Sequence, residues 1–461
     1  MKQEGERLLE WMDRHYLFIV TVFVLWAYGL VGAAGPHGDP IRSDGAGYYA
    51  YLPSLLLYGD PSFETDADVR YGGEFPYWTY VRRYPPTGRY LNAINIGVSL
   101  MTAPFFLAAH ALTLWFGFPW KGGPEFLQLR YAPDGYSFFY QHGAGLAGVF
   151  YFLLGFALLK RILARYFSRG AVLAAMTALL LGTNLLHYGA VFTVNAHPFT
   201  FFLTAVLMEC TRRWYEAPDR RALAVGLGTT AALLYLVRPL NVLLLLWVPL
   251  YGVSSVRGAA ERLRFFWRQR GAVAWMGAVA FVWLIPQFLA WKYSTGHFLV
   301  KAYQHVGASS FGWPQLPAFF FGLRKGMFPW FPVFALALPG FWFLKGEARA
   351  CRTPVAVLCV LYALVISSLR IWEMAGGFGN RYLVDMTPFL AFPLAAFYAG
   401  LRARWCRVLA AVFTVAAVAW ALFLLTLLLR LELDPYGLDR QALFDVFWWR
   451  KEAFLEWWRA P

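Results

Sequence analysis

The run VLAAVFTVAAVAWALFLLTLLL, residues 408–429, decides the fold because it contains no charged residue. Arginines flank it on both sides, at positions 402, 404 and 407 before it and at 430 after it. About 20 mainly apolar residues are enough for a helix to cross the hydrocarbon core of a bilayer. The run therefore predicts a transmembrane helix with arginines at its ends.

Similar apolar segments recur along the whole chain. They cover 15–34, 143–160, 171–188, 271–291, 326–344, 354–370 and 384–401, with a shorter one at 197–211. Of the 461 residues, 59% are hydrophobic and only 15% are charged, which is too little polar surface to cover a soluble body of this size. We therefore predict an all-α polytopic membrane protein.

Two further apolar regions are too long for one clean span. Pro104 interrupts residues 91–118, and Arg238-Pro239 interrupts residues 222–254. A proline removes a helix hydrogen bond and a mid-membrane arginine is costly, so each break can mark a hairpin of two short helices.

The basic residues predict how the chain is oriented. Lys and Arg cluster at 160–169, 212–221, 257–270, 345–352 and 402–407. The positive-inside rule places such clusters in the cytoplasm, which gives 13 spans if both interrupted regions cross twice. Eleven spans remain possible if one or both cross once. In either case most of the net charge of +15 is a topology signal, and a nucleic-acid partner is not needed to explain it.

This topology predicts a transmembrane domain over 1–430, with a long first outer loop at about 35–90. Residues 431–461 contain many aromatic residues with interspersed charges, which predicts an amphipathic segment lying in the membrane interface.

The first outer loop contains the most informative acid. Asp44 follows the first span and stands among glycines, with Tyr48 and Tyr49 just after it. An acid at the boundary between water and lipid is well placed to act as a general base on an acceptor hydroxyl while another substrate is held in the bilayer. The alternative is a helix cap, since Ser43-Asp44 before a helix is an ordinary start signal.

Basic residues in the other outer segments are candidates for holding a phosphate. Arg238 has no acid beside it in sequence, so a lipid phosphate is a reasonable counter-ion. Segment 292–325 contains no acid at all but carries Lys301, His305, Arg324 and Lys325. Arg381 lies in a glycine-rich segment and has two alternative partners, Glu373 and Asp385.

Other polar residues are weaker candidates. His197 is interpreted as a hydrogen-bonded packing residue. Asp66-Ala-Asp68 has the spacing of a metal–nucleotide site, but its polar neighbours favour a solvated loop. The four cysteines lack metal or disulfide spacing, and we expect neither a metal nor an organic cofactor.

Taken together, these residues resemble the GT-C superfamily of integral-membrane glycosyltransferases, in particular the bacterial branch of lipid A aminoarabinose transferases and protein O-mannosyltransferase-like enzymes. The likeness is one of layout over roughly residues 10–400. It is carried by a series of short motifs that occur in the family's order: Ser43-Asp44 with Tyr48-Tyr49, Tyr84-Pro-Pro-Thr-Gly88, Arg238-Pro239, Gly326-Met-Phe-Pro-Trp-Phe-Pro332 and Gly379-Asn-Arg381-Tyr382.

The resemblance implies an enzyme of a bacterial or archaeal cell membrane whose active site lies on the outer face. Its donor would be a polyprenyl-phosphate-linked sugar, and its acceptor a lipid, a glycan or another molecule. Asp44 occupies the place of the family's base or acceptor-positioning acid. The local counterparts of the family's donor-phosphate ligands are Arg238, Arg324, Lys325 and Arg381.

Two departures and one rival class accompany this expectation. The family's usual second acid beside the first-loop aspartate is missing, which weakens the acid–base assignment. The large soluble C-terminal domain of some members is also missing, which argues against large protein acceptors. The rival is a carrier or flippase for a lipid-linked or anionic solute, whose signature would be inverted repeats with interrupted helices.

Overall fold

The computed structural model describes residues 2–32, 39–117, 130–305, 310–373, 376–430 and 433–438. Within them the chain is almost entirely helical. Eighteen α-helices are described: α1 Lys2–Ala27, α2 Gly45–Tyr49, α3 Glu64–Tyr71, α4 Gly97–Gly117, α5 Phe138–Leu163, α6 Arg169–Gly182, α7 Ala196–Glu216, α8 Arg221–Val237, α9 Trp247–Leu250, α10 Val256–Arg268, α11 Arg270–Thr295, α12 Ala302–His305, α13 Leu316–Phe321, α14 Met327–Trp330, α15 Ala337–Phe343, α16 Arg352–Ser367, α17 Leu383–Gly400 and α18 Arg404–Leu429.

Short non-α helices extend or connect these elements. The π-helical turns are Tyr28–Gly32, Pro53–Leu57 and His187–Val191, and the 3₁₀ segments are Tyr77–Thr79, Pro239–Leu246, Pro332–Leu336 and Gly346–Cys351. The only strands in the described ranges are β1 Val81–Arg83 and β2 Tyr90–Asn92, which pair antiparallel as a hairpin in the first outer loop.

The prediction of an all-α polytopic membrane protein is confirmed. Seven helical segments are long and apolar enough to span a membrane: Glu4–Gly32, Gly97–Gly117, Phe138–Leu163, Arg270–Thr295, Gly346–Ser367, Leu383–Gly400 and Arg404–Leu429. Four shorter apolar helical segments accompany them. Large apolar side chains on α11 and α18, such as Phe281 and Val415, are exposed, and a lipid environment explains them.

The two interrupted regions behave differently. The predicted break at Pro104 is wrong, because α4 continues through it and replaces the hairpin that thirteen spans required. Transmembrane helices tolerate proline where neighbouring groups satisfy the freed backbone. The predicted break at Arg238 is confirmed: α8 ends at Val237, and the 3₁₀ segment begins at Pro239.

Several of the loops with the basic clusters lie together at one end of the bundle. The N-terminal part of α1 reaches the end of α5, where Lys160 Nζ lies 2.5 Å from Asp13 Oδ1. Further contacts tie the neighbouring loops together: Tyr166 to Tyr251, Gly252 to Ala350, and Gly400 to Phe343.

At the opposite end, the described part of the first outer loop packs against residues 130–141. Tyr49 donates a hydrogen bond to the Gly135 carbonyl at 2.7 Å, and Tyr136 donates one to Asp66 at 2.6 Å. The first outer loop and residues 130–141 therefore contact each other at this end of the bundle. The C-terminal segment predicted to be amphipathic lies outside the described residues, apart from 433–438.

Candidate active site

Asp44 lies at the start of α2, but its side chain does not cap that helix. It has helical backbone angles and makes no capping hydrogen bond. Instead, its Oδ2 accepts a hydrogen bond from Arg381 Nη1 at 2.8 Å, although 337 residues separate them. Only 5% of the residue is exposed, and its buried Oδ1 has no hydrogen-bond partner within the described ranges. A buried carboxylate oxygen rarely stays unpaired, so Oδ1 is available to a ligand.

The backbone around Asp44 is tightly constrained. Ser43 adopts a φ of 51°, in the left-handed region that non-glycine residues seldom occupy. A Cβ atom on Gly47 would lie 2.1 Å from the Thr79 carbonyl oxygen, so only glycine lets α2 pack this closely on its neighbour. The position of the carboxylate therefore follows from local packing.

Arg381 is held by an equally rigid loop. Gly379 has a φ of 60°, and a Cβ atom there would lie 2.6 Å from the Phe331 ring. The fully buried Asn380 donates to the Trp372 carbonyl at 3.0 Å and accepts from the Tyr382 amide. The guanidinium thus reaches Asp44 from a fixed loop.

A second ion pair lies beside the first. Arg238 Nη1 is 3.2 Å from Asp385 Oδ2, and its guanidinium stacks on the Tyr382 ring at 4.4 Å. Asp385 also accepts from Tyr362 at 3.2 Å and lies 2.9 Å from His197 Nδ1. Asp385, rather than the expected lipid phosphate, is thus the counter-ion that Arg238 has in this structure.

Lys325 adds a third basic side chain. It is fully buried just before α14. Burial and, to a smaller extent, the positive charge of Arg381 lower its pKa to about 7. Arg238, Arg381 and Lys325 thus lie near the acids Asp44 and Asp385, and the charges of Glu373 and Asp434 also act on Lys325. When protonated, Lys325 places a second positive charge close to Arg381.

Two tyrosine hydroxyls complete the centre. Burial raises the pKa of Tyr48, although Arg238 lies close enough to oppose the rise. Burial likewise raises the pKa of Tyr303 on α12, which is influenced by Tyr48 and Arg238. Tyr48 therefore lies close to Asp44. Tyr303, which was not among the predicted site residues, lies close to both.

The other predicted site residues lie elsewhere. Tyr49 points away from Asp44, towards the Gly135 carbonyl. Arg324 is exposed and pairs with Glu373 at 3.0 Å. Lys301 and His305 line a separate cavity beyond α12. Neither alternative partner proposed for Arg381 is used, because Glu373 and Asp385 pair with other arginines.

The predicted loop at Asp66-Ala-Asp68 is wrong, because these residues lie in the helix α3, and only Asp68 is solvent-exposed as expected. Asp66 is fully buried and receives the Tyr136 hydroxyl hydrogen bond. Burial raises its pKa to about 7, and this hydrogen bond opposes the rise. Asp66 is buried because α3 packs against residues 130–137. The polar composition around Asp66 gave no sign of this packing.

Asp385 and Tyr362 were not among the predicted functional residues, and His197 was interpreted as packing only. A signal for Asp385 was present, because an acid inside an apolar segment requires a partner. No cluster of three or more His, Cys, Asp or Glu side chains suited to a metal occurs in the part of the chain that the structure describes.

Fold and site together define a polytopic helical membrane protein with a buried centre of acidic and basic side chains, in which one carboxylate oxygen of Asp44 has no hydrogen-bond partner among the described residues. No protein-family model matches the chain, and no curated protein is significantly similar to it.

Proposed function

We propose that this protein is a GT-C-type glycosyltransferase that moves a sugar from a polyprenyl-phosphate-linked donor to a lipid, glycan or other acceptor on the non-cytoplasmic face. The observation that carries the proposal is the state of Asp44. One carboxylate oxygen is held by Arg381, and the other is buried without a partner in the described structure. This arrangement suits a group that receives a hydroxyl.

In the proposed reaction, Asp44 Oδ1 accepts the proton of the acceptor hydroxyl. The acceptor oxygen forms a bond to the anomeric carbon as the bond from that carbon to the phosphate oxygen breaks. The polyprenyl phosphate leaves with the electron pair of the broken bond. Positioned proton transfer of this kind contributes roughly 10²–10⁴-fold to a rate.

The Asp44–Arg381 ion pair is suited to the negative charge that develops on the departing phosphate. Before transfer, the Arg381 charge is balanced by Asp44. Once Asp44 is protonated, that balance is lost, and Arg381 can stabilise the departing phosphate together with Lys325. Groups that are held in place before charge develops stabilise it most effectively. Arg238 contributes less in this scheme, because Asp385 balances it throughout.

Reconstitution in liposomes tests the proposal against the carrier alternative. The assay supplies a panel of labelled polyprenyl-phosphate-linked hexoses, pentoses and amino sugars together with lipid acceptors. We expect labelled acceptor to form with wild-type protein. The appearance of intact donor in the opposite leaflet, without labelled acceptor, would show a carrier instead.

Asp44→Asn is compared with Asp68→Asn, which removes an exposed acid from the same loop. Asp44→Asn should reduce transfer by about 10²–10⁴-fold, whereas Asp68→Asn should leave it unchanged. Equal activity of the two variants would refute the role of Asp44.

A further inference from the structure

Helix α10 packs on the end of the bundle where the basic loops meet. Phe265 and Phe266 lie against the fully buried Trp214, with 5.2 and 5.7 Å between the ring centroids. Arg262 donates a hydrogen bond to the Tyr251 carbonyl, which belongs to the same end. These contacts fix which sides of α10 face away from the bundle.

One of the outward sides of α10 is an apolar stripe. Val256 is 89% exposed, Leu263 72% and Trp267 74%. Their spacing places them on one side of a helix with 3.6 residues per turn. Single exposed apolar residues are ordinary, but several large ones in a row on one short helix mark an interaction surface.

The stripe lies beside the membrane. Helix α10 ends at Arg268, and α11, which is one of the candidate spans, begins at Arg270. Large side chains near the start and middle of α11, such as Trp275 and Phe281, are exposed as lipid-facing groups would be. The level at which the chain enters the bilayer is therefore close to α10, and lipid is the nearest apolar medium that can cover the stripe.

Two arginines on the adjoining side of α10 are not used by the fold. Arg264 and Arg268 are exposed, and neither makes a hydrogen bond or an ion pair with any residue in the described part of the chain. Arg257, by contrast, pairs with Glu261 at 3.2 Å. A guanidinium can bind phosphate oxygens through two parallel hydrogen bonds. A cationic side next to an apolar stripe is typical of helices that lie in the interface of a membrane containing anionic lipids.

The alternatives explain only part of this surface. The positive-inside rule accounts for the arginines but not for the apolar stripe beside them. A symmetric dimer through the stripe would bring the arginines of both copies together, because segment 257–270 contains five arginines and one acid. Like charges oppose such a contact. An anionic lipid matches both the stripe and the charge.

We propose that α10 lies in the membrane interface and binds anionic phospholipids. In this arrangement Leu263 and Trp267 insert among the acyl chains. Arg264 and Arg268 bind the phosphates of the headgroups. The surface lies at the end of the bundle opposite to Asp44, so the inference does not depend on the proposed sugar transfer.

Photo-crosslinking of the full-length protein in phosphatidylcholine liposomes tests this binding. The probe is a trace of phosphatidylglycerol with a photoreactive group at the start of one acyl chain, which leaves the headgroup unaltered. Mass spectrometry of the digested protein quantifies the lipid adducts on the α10 peptide. We expect adducts that unlabelled phosphatidylglycerol suppresses and soluble glycerol phosphate does not. A phosphatidylcholine probe with the same photoreactive group should give far fewer adducts.

The double variant Arg264→Gln/Arg268→Gln should lower the adduct yield on α10 about tenfold, which corresponds to the loss of one or two charge-assisted contacts. Its unfolding midpoint should not change, because both side chains are exposed. Arg220→Gln/Arg221→Gln is the matched control. It removes two exposed arginines from the connection between α7 and α8 and should leave the yield unchanged.

Four outcomes would overturn the inference. The first two are equal adducts from the two lipid probes and an unchanged yield in the α10 double variant. The third is an equal loss in the control variant, which would show that total charge alone attracts the lipid. The fourth is the formation of disulfide-linked dimers by Leu263→Cys in place of lipid adducts, which would show that a second copy covers the stripe.

Discussion

Two ion pairs stand side by side in this protein, and they differ in how completely the acid is satisfied. Asp385 has Arg238, His197 and Tyr362 as partners, and it is fully buried. Asp44 has Arg381 alone in the described structure, and its second oxygen is unpaired. A carboxylate whose two oxygens both have partners (a saturated pair) holds the structure together. A carboxylate with one unpaired oxygen (an unsaturated pair) can still receive a ligand. We therefore assign a structural role to the first pair and a reactive role to the second.

Breaking the saturated pair should have the largest effect. Asp385→Asn leaves the Arg238 charge buried without a counter-ion, so the free energy of unfolding should fall by about 3–5 kcal/mol. Thermal unfolding in detergent measures it. Glu261→Gln, which removes the acid of an exposed pair with Arg257, is the control and should leave the midpoint unchanged. A stable Asp385→Asn protein would contradict the assigned role.

Replacing Arg381, the basic partner in the Asp44 pair, should affect activity more than stability. Arg381→Gln removes the group that orients Asp44 and stabilises the leaving phosphate. We expect kcat/KM for transfer to fall by about 10²–10³-fold, the usual effect of losing one positioned donor. Arg381→Lys should recover only part of the rate, because a lysine lacks the two-pronged geometry. Full activity in Arg381→Gln would exclude the ion pair from the reaction.

Lys325 predicts a pH dependence with a definite sign. Because its pKa in the free protein is lowered to about 7, it loses its charge as pH rises above that value. If the ammonium holds the donor phosphate, KM for the donor should rise with pH above about 7, by up to about tenfold per unit. Lys325→Arg should flatten the profile, because arginine stays charged. A KM that falls with rising pH would rule out this role.

The same shift has a consequence for stability. The unfolded chain binds this proton more tightly than the folded one, so stability should increase as pH rises from about 7 towards the ordinary lysine pKa of about 10.4. Lys325→Met should remove that increase, which thermal unfolding at several pH values would detect.

The smallest effect is expected at the exposed neighbour of Lys325. Arg324 pairs with Glu373, but 65% of its side chain is exposed, so the pair contributes little. Arg324→Gln should change transfer by less than about threefold in the liposome assay. A loss comparable to that of Arg381→Gln would return Arg324 to the donor-phosphate ligands that the sequence suggested.

The features that the sequence predicted are those that depend on local composition. The apolar runs predicted the helices, and the mid-membrane arginine predicted the break at Arg238. Asp44 could be singled out because an acid beside a span is unusual. Pro104 misled the prediction because the loss of one helix hydrogen bond is too small to end a helix supported by its neighbours.

The features that it did not predict depend on long-range contacts. Asp44 and Arg381 are 337 residues apart, and Arg238 and Asp385 are 147 apart. Nothing in one chain says which acid meets which arginine, so each arginine could be assigned only to neighbours in sequence or to a lipid phosphate. The burial of Asp66 likewise depends on the fold of residues 130–137.

The central claim is that the unpaired oxygen of Asp44 receives the acceptor hydroxyl. Its most direct test is the transfer rate of Asp44→Asn in liposomes at saturating donor and acceptor, with the unfolding midpoint measured on the same preparation. We predict a rate at least about 100-fold below wild type, with the fold retained. A rate equal to that of wild type, in a protein with the same midpoint, would contradict it.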